Sequence, residues 1–404
     1  MAALLVALFH AYVYSQWGGI PASSGVLQHA WLFVDLFFVI SGYVMVAAYG
    51  DRLDSGRAAV GYMVRRFFRL YPLHIVTTAT VLLAVIAIQT LKLVLAWQGI
   101  RVGREEPFDF EFFNLKLLGL DLLLLQGVGI MRKEIHNYPS WSISVEFWLY
   151  LMFALLMLVV RPRLARIAAS VLIVGMSLAY FVIYWSTAPE PLRTLDTRGL
   201  PRGMLSFFQG VLVFYIHRWL SARWASARRP GGAGADVGSV HDPGATGRTG
   251  RTGRTGLTSV SWLGAGQIMA IILALYLVDR QHLLGTAQLA IPFAFALVVL
   301  LLVPDRGIVA GLLQTRPMQW IGLHSYSIYL THVTVLTLVD WLGRAVPEPA
   351  KHLVGLFYVA AVFGASMLTY RYIEEPWRQR GRRLADRIEA GESFARQGDP
   401  RVPR

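Results

Sequence analysis

The chain has 404 residues, of which 55% are hydrophobic and 15% charged, against about 25% charged in a soluble domain. Apolar runs recur along its whole length, which excludes a soluble globular class and marks a polytopic membrane protein. With no cysteine it has neither a disulfide framework nor thiolate chemistry, and its net charge of +14 fits basic cytoplasmic loops better than a nucleic-acid partner.

A helix needs about 20 apolar residues to cross the hydrocarbon core. In chain order the predicted spans are 1–16, 32–49, 72–97, 141–160, 166–185, 200–218, 259–278, 286–303, 319–342 and 353–373. The expected fold is therefore all-α, a transmembrane bundle of about ten spans. The first segment lacks a basic n-region and is read as a retained helix rather than a signal peptide. Residues 108–127 are interrupted by Asp109, Glu111, Lys116 and Asp121, and are expected to form an interfacial amphipathic helix. Residues 226–258 repeat a TGR triplet three times and lack the apolar residues of a core. They read as a disordered linker inside an integral-membrane domain over 1–378, with 379–404 a basic cytoplasmic tail. Lys and Arg number 25 in one alternating set of loops and 11 in the other. That asymmetry predicts both termini in the cytoplasm.

Ionisable residues within spans are costly and are functional candidates by default. His10, Asp35 and Glu146 all fall in the predicted outer half of the bilayer, and His332 near mid-depth. Spans 1 and 2 are expected to be antiparallel neighbours, which makes an Asp35–His10 pair reasonable. A carboxylate beside an imidazole fixes its tautomer and suits a general base. The alternative is structural, since helices in lipid also use His, Ser and Glu as hydrogen-bond partners. Ser142 and Glu146 share a helical face, as do Ser325, Tyr329 and His332. Arg65, Arg66 and Arg69 fall before the third span, and Arg66 and Arg69 share a face. Arginine suits bidentate binding of phosphate, although juxtamembrane anchoring alone also accounts for such a cluster.

Taken together, LFHA around His10, VDLFFVISGYVM around Asp35, RRFFRLYP (65–72), PSWSISVEFWLYL (139–151), WIGLHSYSIYLTH (320–332) and IEEPWR (373–378) resemble the acyltransferase 3 family of integral-membrane O-acyltransferases. The resemblance implies transfer of an acyl group from cytoplasmic acyl-CoA to a hydroxyl, usually on a sugar, at a bacterial plasma membrane. No bound cofactor is expected, and the His and carboxylate positions show no zinc spacing such as HExxH, so no metal is expected. His10 matches the family's essential histidine, Arg66 and Arg69 its RxxR pair for acyl-CoA, and Asp35, Ser41 and Gly42 its D-FFVxSG segment. Glu146 matches the WSxxxE glutamate, and Glu374 and Pro376 the terminal ExP. The family places an arginine eleven positions before the histidine, a position that precedes Met1. The expectation is a natural chain that starts further upstream. On this reading His10, oriented by Asp35 or Glu146, deprotonates the acceptor in a polar cavity among spans 1, 2, 4 and 9. Trp141, Ser142 or Tyr326 donates to the oxyanion, or an acyl-His10 intermediate forms. A proton-coupled transporter or flippase using an Asp35–His10 relay, and a structural scaffold, are the other classes weighed. The first leaves the arginines without a role, and the second leaves the buried charges without one.

Overall fold

A computed structural model describes residues 2–14, 25–99, 114–130, 136–185, 199–227, 255–343, 346–347 and 350–391. Among these there is no strand. The helices are α1 (Ala2–Tyr14), α2 (Gly25–Gln28), α3 (Phe33–Tyr49), α4 (Gly56–Trp97), α5 (Leu115–Leu122), α6 (Ser140–Val159), α7 (Arg163–Trp185), α8 (Gly199–Ala227), α9 (Thr255–Asp279), α10 (Ala290–Leu302), α11 (Ile308–Leu313), α12 (Arg316–Leu323), α13 (Ser325–Gly343), α14 (Lys351–Thr369) and α15 (Glu375–Ala390). Eight helical segments among the described residues are long and apolar enough to cross a membrane. They account for all the predicted spans except the first and the ninth, so the protein is a multi-pass helical membrane protein.

The two exceptions have physical reasons. The first span is the short apolar helix α1. The ninth is split at His324, and its second part, α13, is too polar to register as apolar, because Ser327, Thr331, His332, Thr334 and Asp340 are all buried in it. Those side chains face protein, not lipid: α13 lies at the centre of the bundle and packs on α1, α4 and α14. A second group gathers around α3 and α8, with α7, α9 and α10, while α6 bridges α4 and α8. The seam between the two groups positions the site.

α3 and α8 are brought close by two glycines. A Cβ on Gly42 would overlap the backbone carbonyl of Phe207, and one on Gly210 would overlap that of Val39. Small residues that admit close backbone approach are the usual basis of tight helix pairs in lipid. Gly42 therefore sets an inter-helix distance.

The third predicted span is the end of a longer helix. α4 runs without a break from Gly56 through Pro72 to Trp97, about 63 Å at roughly 1.5 Å per residue. Ser55 caps it, its hydroxyl accepting from the Ala58 amide at 3.3 Å. Its early turns pack on α15, where Arg65 donates to Asp386 at 2.7 Å and to both oxygens of Glu389 at 2.5 and 2.9 Å. The predicted tail is thus helical through Ala390, and 392–404 lie outside the described residues. Between α14 and α15 the helix widens into a π turn at Tyr370–Glu374. Pro376 lacks an amide proton and clashes with the carbonyl four residues back, which accounts for the wider turn. That turn carries Glu374 inward to accept from Ser327 Oγ at 2.8 Å.

Of the predicted interfacial helix, α5 is described. Its eight residues reach about 12 Å, short of the ~30 Å core. Asn114 caps it through the Lys116 amide at 3.0 Å, and its Asp121 is buried against His136 Nδ1 at 2.5 Å. Residues 108–113 and the linker residues 228–254 lie outside the described residues.

Candidate active site

Two cavities occupy the seam, one toward each end of α3. The first, about 480 Å³, is lined by His10, Trp31, Tyr138, Trp141 and Arg202 among others. The second, about 320 Å³, holds Ser41, Arg66, Arg69, Ser142, Glu146, Tyr150, Ser325 and Tyr326. Val34 and Tyr329 line both, so these two side chains form the partition between them.

His10 is 8% exposed and sits near the end of α1, which packs on α13 and α3. Its Nδ1 lies 2.7 Å from Nε2 of His332, with the two rings within 4° of coplanar. The proton positions follow from the partners. His332 Nδ1 is 2.5 Å from the carbonyl of Tyr329, an acceptor only, so that nitrogen carries a proton. Neutral His332 then accepts at Nε2, and the proton between the rings belongs to His10 Nδ1. The basic nitrogen of His10 is therefore Nε2. His332 takes the orienting role that a carboxylate would otherwise fill.

The expected Asp35–His10 pair is corrected. Asp35 is completely buried and accepts from Arg202 Nη2 at 2.8 Å, from Arg202 Nε at 3.1 Å and from Ser206 Oγ at 3.0 Å. Arg202 lies between two indoles, its guanidinium carbon 4.9 Å from the Trp31 ring centre and 5.4 Å from that of Trp141. It also donates to the Trp31 carbonyl at 3.3 Å. A buried carboxylate needs a full set of donors, and Arg202 with Ser206 supplies it. Arg202 falls at the start of the predicted sixth span, 200–218, and is not among the candidate residues read from the sequence. The signal available was an arginine already within that apolar run.

Glu146 is likewise placed away from His10. It lines the second cavity, accepting from Ser41 Oγ at 3.1 Å and from the Tyr150 hydroxyl. The same cavity receives Arg66 and Arg69, while Arg65, one residue earlier, is turned to α15. Arg66 lies within 5.2–5.7 Å of the ring centres of Tyr49, Tyr62 and Tyr150, and donates to the Tyr49 hydroxyl at 2.9 Å. Its Nε is buried without a partner. The group is held by aromatic faces and a phenol, with a donor unused and no carboxylate bound among the described residues, an arrangement chemically suited to an anion. Arg69 lies over the Tyr326 ring, 5.9 Å from its centre, and Tyr326 is fixed by donating to the Leu70 carbonyl at 2.6 Å.

At the partition, Ser142 Oγ and the Tyr329 hydroxyl are 2.8 Å apart, and both reach the carbonyl of Pro139, at 3.0 and 3.1 Å. The arrangement is an imidazole in one compartment, two arginines in the other, and hydroxyls between.

The family model described as an acyltransferase domain matches residues 1–371. The chain belongs to the acyltransferase 3 family. Among curated relatives it is similar to "Acyltransferase MdmB" of Streptomyces mycarofaciens, 34% identical over 201 residues, covering 46% of each chain. It is similar to "Putative peptidoglycan O-acetyltransferase YrhL" of Bacillus subtilis (strain 168), 24% identical over 376 residues, covering 88% of this chain and 51% of that one. "Protein 2 in picA locus" of Rhizobium radiobacter is 41% identical over 80 residues, covering 20% of this chain and 38% of that one. The chain thus spans about half or less of the length of the curated relatives it matches. No solved structure matches it. Family membership is what the chain shares with relatives named as an acyltransferase and as a putative O-acetyltransferase.

Proposed function

We propose that this acyltransferase moves a short acyl group, such as acetyl, from acyl-CoA on the cytoplasmic side to a hydroxyl of a sugar-containing acceptor. The observation that carries the reading is the His10–His332 pair, whose hydrogen bond fixes the proton on Nδ1 of His10 and makes Nε2 the basic nitrogen of that ring. The loop charge asymmetry supports an orientation with Arg66 and Arg69 toward the cytoplasm. Acyl-CoA phosphates bind at these arginines, and the thioester arm extends along the second cavity to Tyr329. The acceptor enters the first cavity. His10 Nε2 takes the hydroxyl proton, the oxygen attacks the thioester carbonyl, and a tetrahedral oxyanion forms. Ser142 or Tyr329, whose hydroxyls meet at the partition, donates to that oxyanion after turning from the Pro139 carbonyl. The carbon–sulfur bond then breaks as the new ester remains, and the imidazolium returns the proton to the departing CoA thiolate. Glu146, Ser325 and Tyr326 line the donor arm's route, and Asp35 positions Arg202 in the wall of the acceptor cavity. The relatives named as an acyltransferase and as a peptidoglycan O-acetyltransferase support the reaction class.

The test is ligand-linked stability of the purified protein. Acetyl-CoA at 100 times its Kd should stabilise the fold by about 2.7 kcal/mol, and Arg66→Ala with Arg69→Ala should abolish the shift. Absence of stabilisation at millimolar acetyl-CoA in the unaltered chain would count against acyl-CoA as donor.

A further inference from the structure

The donor cavity has a neighbour. Between α15 and the start of α4 lies a separate cavity of about 310 Å³, lined by Arg52, Arg65, Arg382, Asp386, Glu389 and Tyr49. Tyr49 links the two spaces: it lines this cavity, and its hydroxyl accepts from Arg66, which lines the donor cavity. Both carboxylates of the neighbouring cavity are engaged by Arg65, at 2.7 Å for Asp386 and 2.5 Å for Glu389. Arg52 and Arg382 are exposed and have no carboxylate partner among the described residues. The wall therefore offers two uncommitted guanidiniums beside an aromatic ring. The pair Arg66 and Arg69 is a second, separate cationic centre in the adjoining cavity. A single phosphate would need only one of these centres. A ligand with two phosphate groups at separate places along its length matches both.

We propose that this cavity binds the 3′-phosphorylated adenosine end of acyl-CoA, with Arg52 and Arg382 holding the 3′-phosphate and Arg66 and Arg69 the pyrophosphate. The proposal rests on the acyl-CoA reading above. It adds a site, and it makes the 3′-phosphate a specificity determinant. A phospholipid headgroup has the same phosphate chemistry, and the test separates the two sources.

The experiment measures binding of acetyl-CoA and of 3′-dephospho-acetyl-CoA to the full chain in detergent. Its variants are Arg52→Gln, Arg382→Gln, the double variant, and Arg383→Gln as a control outside the lining. The unaltered protein should prefer acetyl-CoA by about 10- to 100-fold, the scale of charge-assisted hydrogen bonds. The double variant should bind both donors alike, at the affinity the unaltered protein has for the dephospho form, and that retained binding shows it is folded. The single variants should fall between, and Arg383→Gln should be unchanged. Equal affinity for both donors in the unaltered protein, as expected of a headgroup site, overturns the proposal while acyl-CoA stands as donor. So does an equal loss of both donors in the variants. Binding of neither donor to the unaltered protein overturns the acyl-CoA reading itself.

Discussion

His10 is useful as a base only while its proton stays on Nδ1, and the acceptor that keeps it there is His332. A glutamine at 332 can return an oxygen acceptor near the position of Nε2, and a leucine cannot. His332→Gln should therefore keep measurable transfer, while His332→Leu should lower kcat by about 100-fold with little change in KM for the donor. The pH–rate profile should also shift in His332→Gln, a change that loss of packing alone would not produce. Asp35 belongs to a different class. Its partner Arg202 is only 1% exposed, so Asp35→Asn leaves a buried cation without its counter-charge, at a cost of about 3–5 kcal/mol. Unfolding measurements in detergent should show that loss. Asp35→Asn with Arg202→Met should recover part of it. At this scale the sequence made the buried ionisable residues legible, because each interrupts an apolar run. Their partners were not legible. Asp35 and His10 lie on neighbouring helices at compatible depth, yet azimuth around α3 turns Asp35 toward α8, and nothing local encodes that angle. His332 was visible as a titratable group in span nine, but its contact with His10 joins residues 322 positions apart.

At the scale of elements, the D-FFVxSG and ExP segments act through helix geometry. Gly42→Val should force α3 and α8 apart and cost at least about 1–3 kcal/mol, the usual range for overpacking, with thermal unfolding as the check. Pro376→Ala should let the π turn relax toward a regular α-helix, rotate Glu374 away from Ser327 and loosen α15 on α4. Faster proteolysis within α15 would report it. The apolar pattern marks a span at 319–342 that α13 largely fills, yet α13 is less apolar than the eight lipid-facing segments for a definite reason. Hydropathy measures preference for lipid, and α13 is surrounded by protein. The polarity that sets it apart is the same polarity that equips the site with Tyr329 and His332. α4 shows the converse limit: hydropathy marks only its apolar half, from Pro72, as a span, whereas the arginine-rich stretch expected to meet acyl-CoA belongs to the same unbroken helix.

At the scale of the molecule, the proposed donor and acceptor enter from opposite ends of one seam, with Tyr329 and Val34 between them. The absence of cysteine in the whole sequence permits a direct check of orientation. A single cysteine at Arg383 should react with an impermeant maleimide only in inverted vesicles, and one at His282 only in right-side-out vesicles. Both labelling from the same side would contradict the layout. The measurement that tests the central claim most directly is transfer of radiolabelled acetyl from acetyl-CoA into the cell-envelope material of membranes carrying the protein, with His10→Ala compared at equal folded amount. His10→Ala should lose at least about 100-fold of the transfer, with acetyl-CoA binding at Arg66 and Arg69 retained. Transfer that survives the substitution would remove His10 as the base and contradict the mechanism.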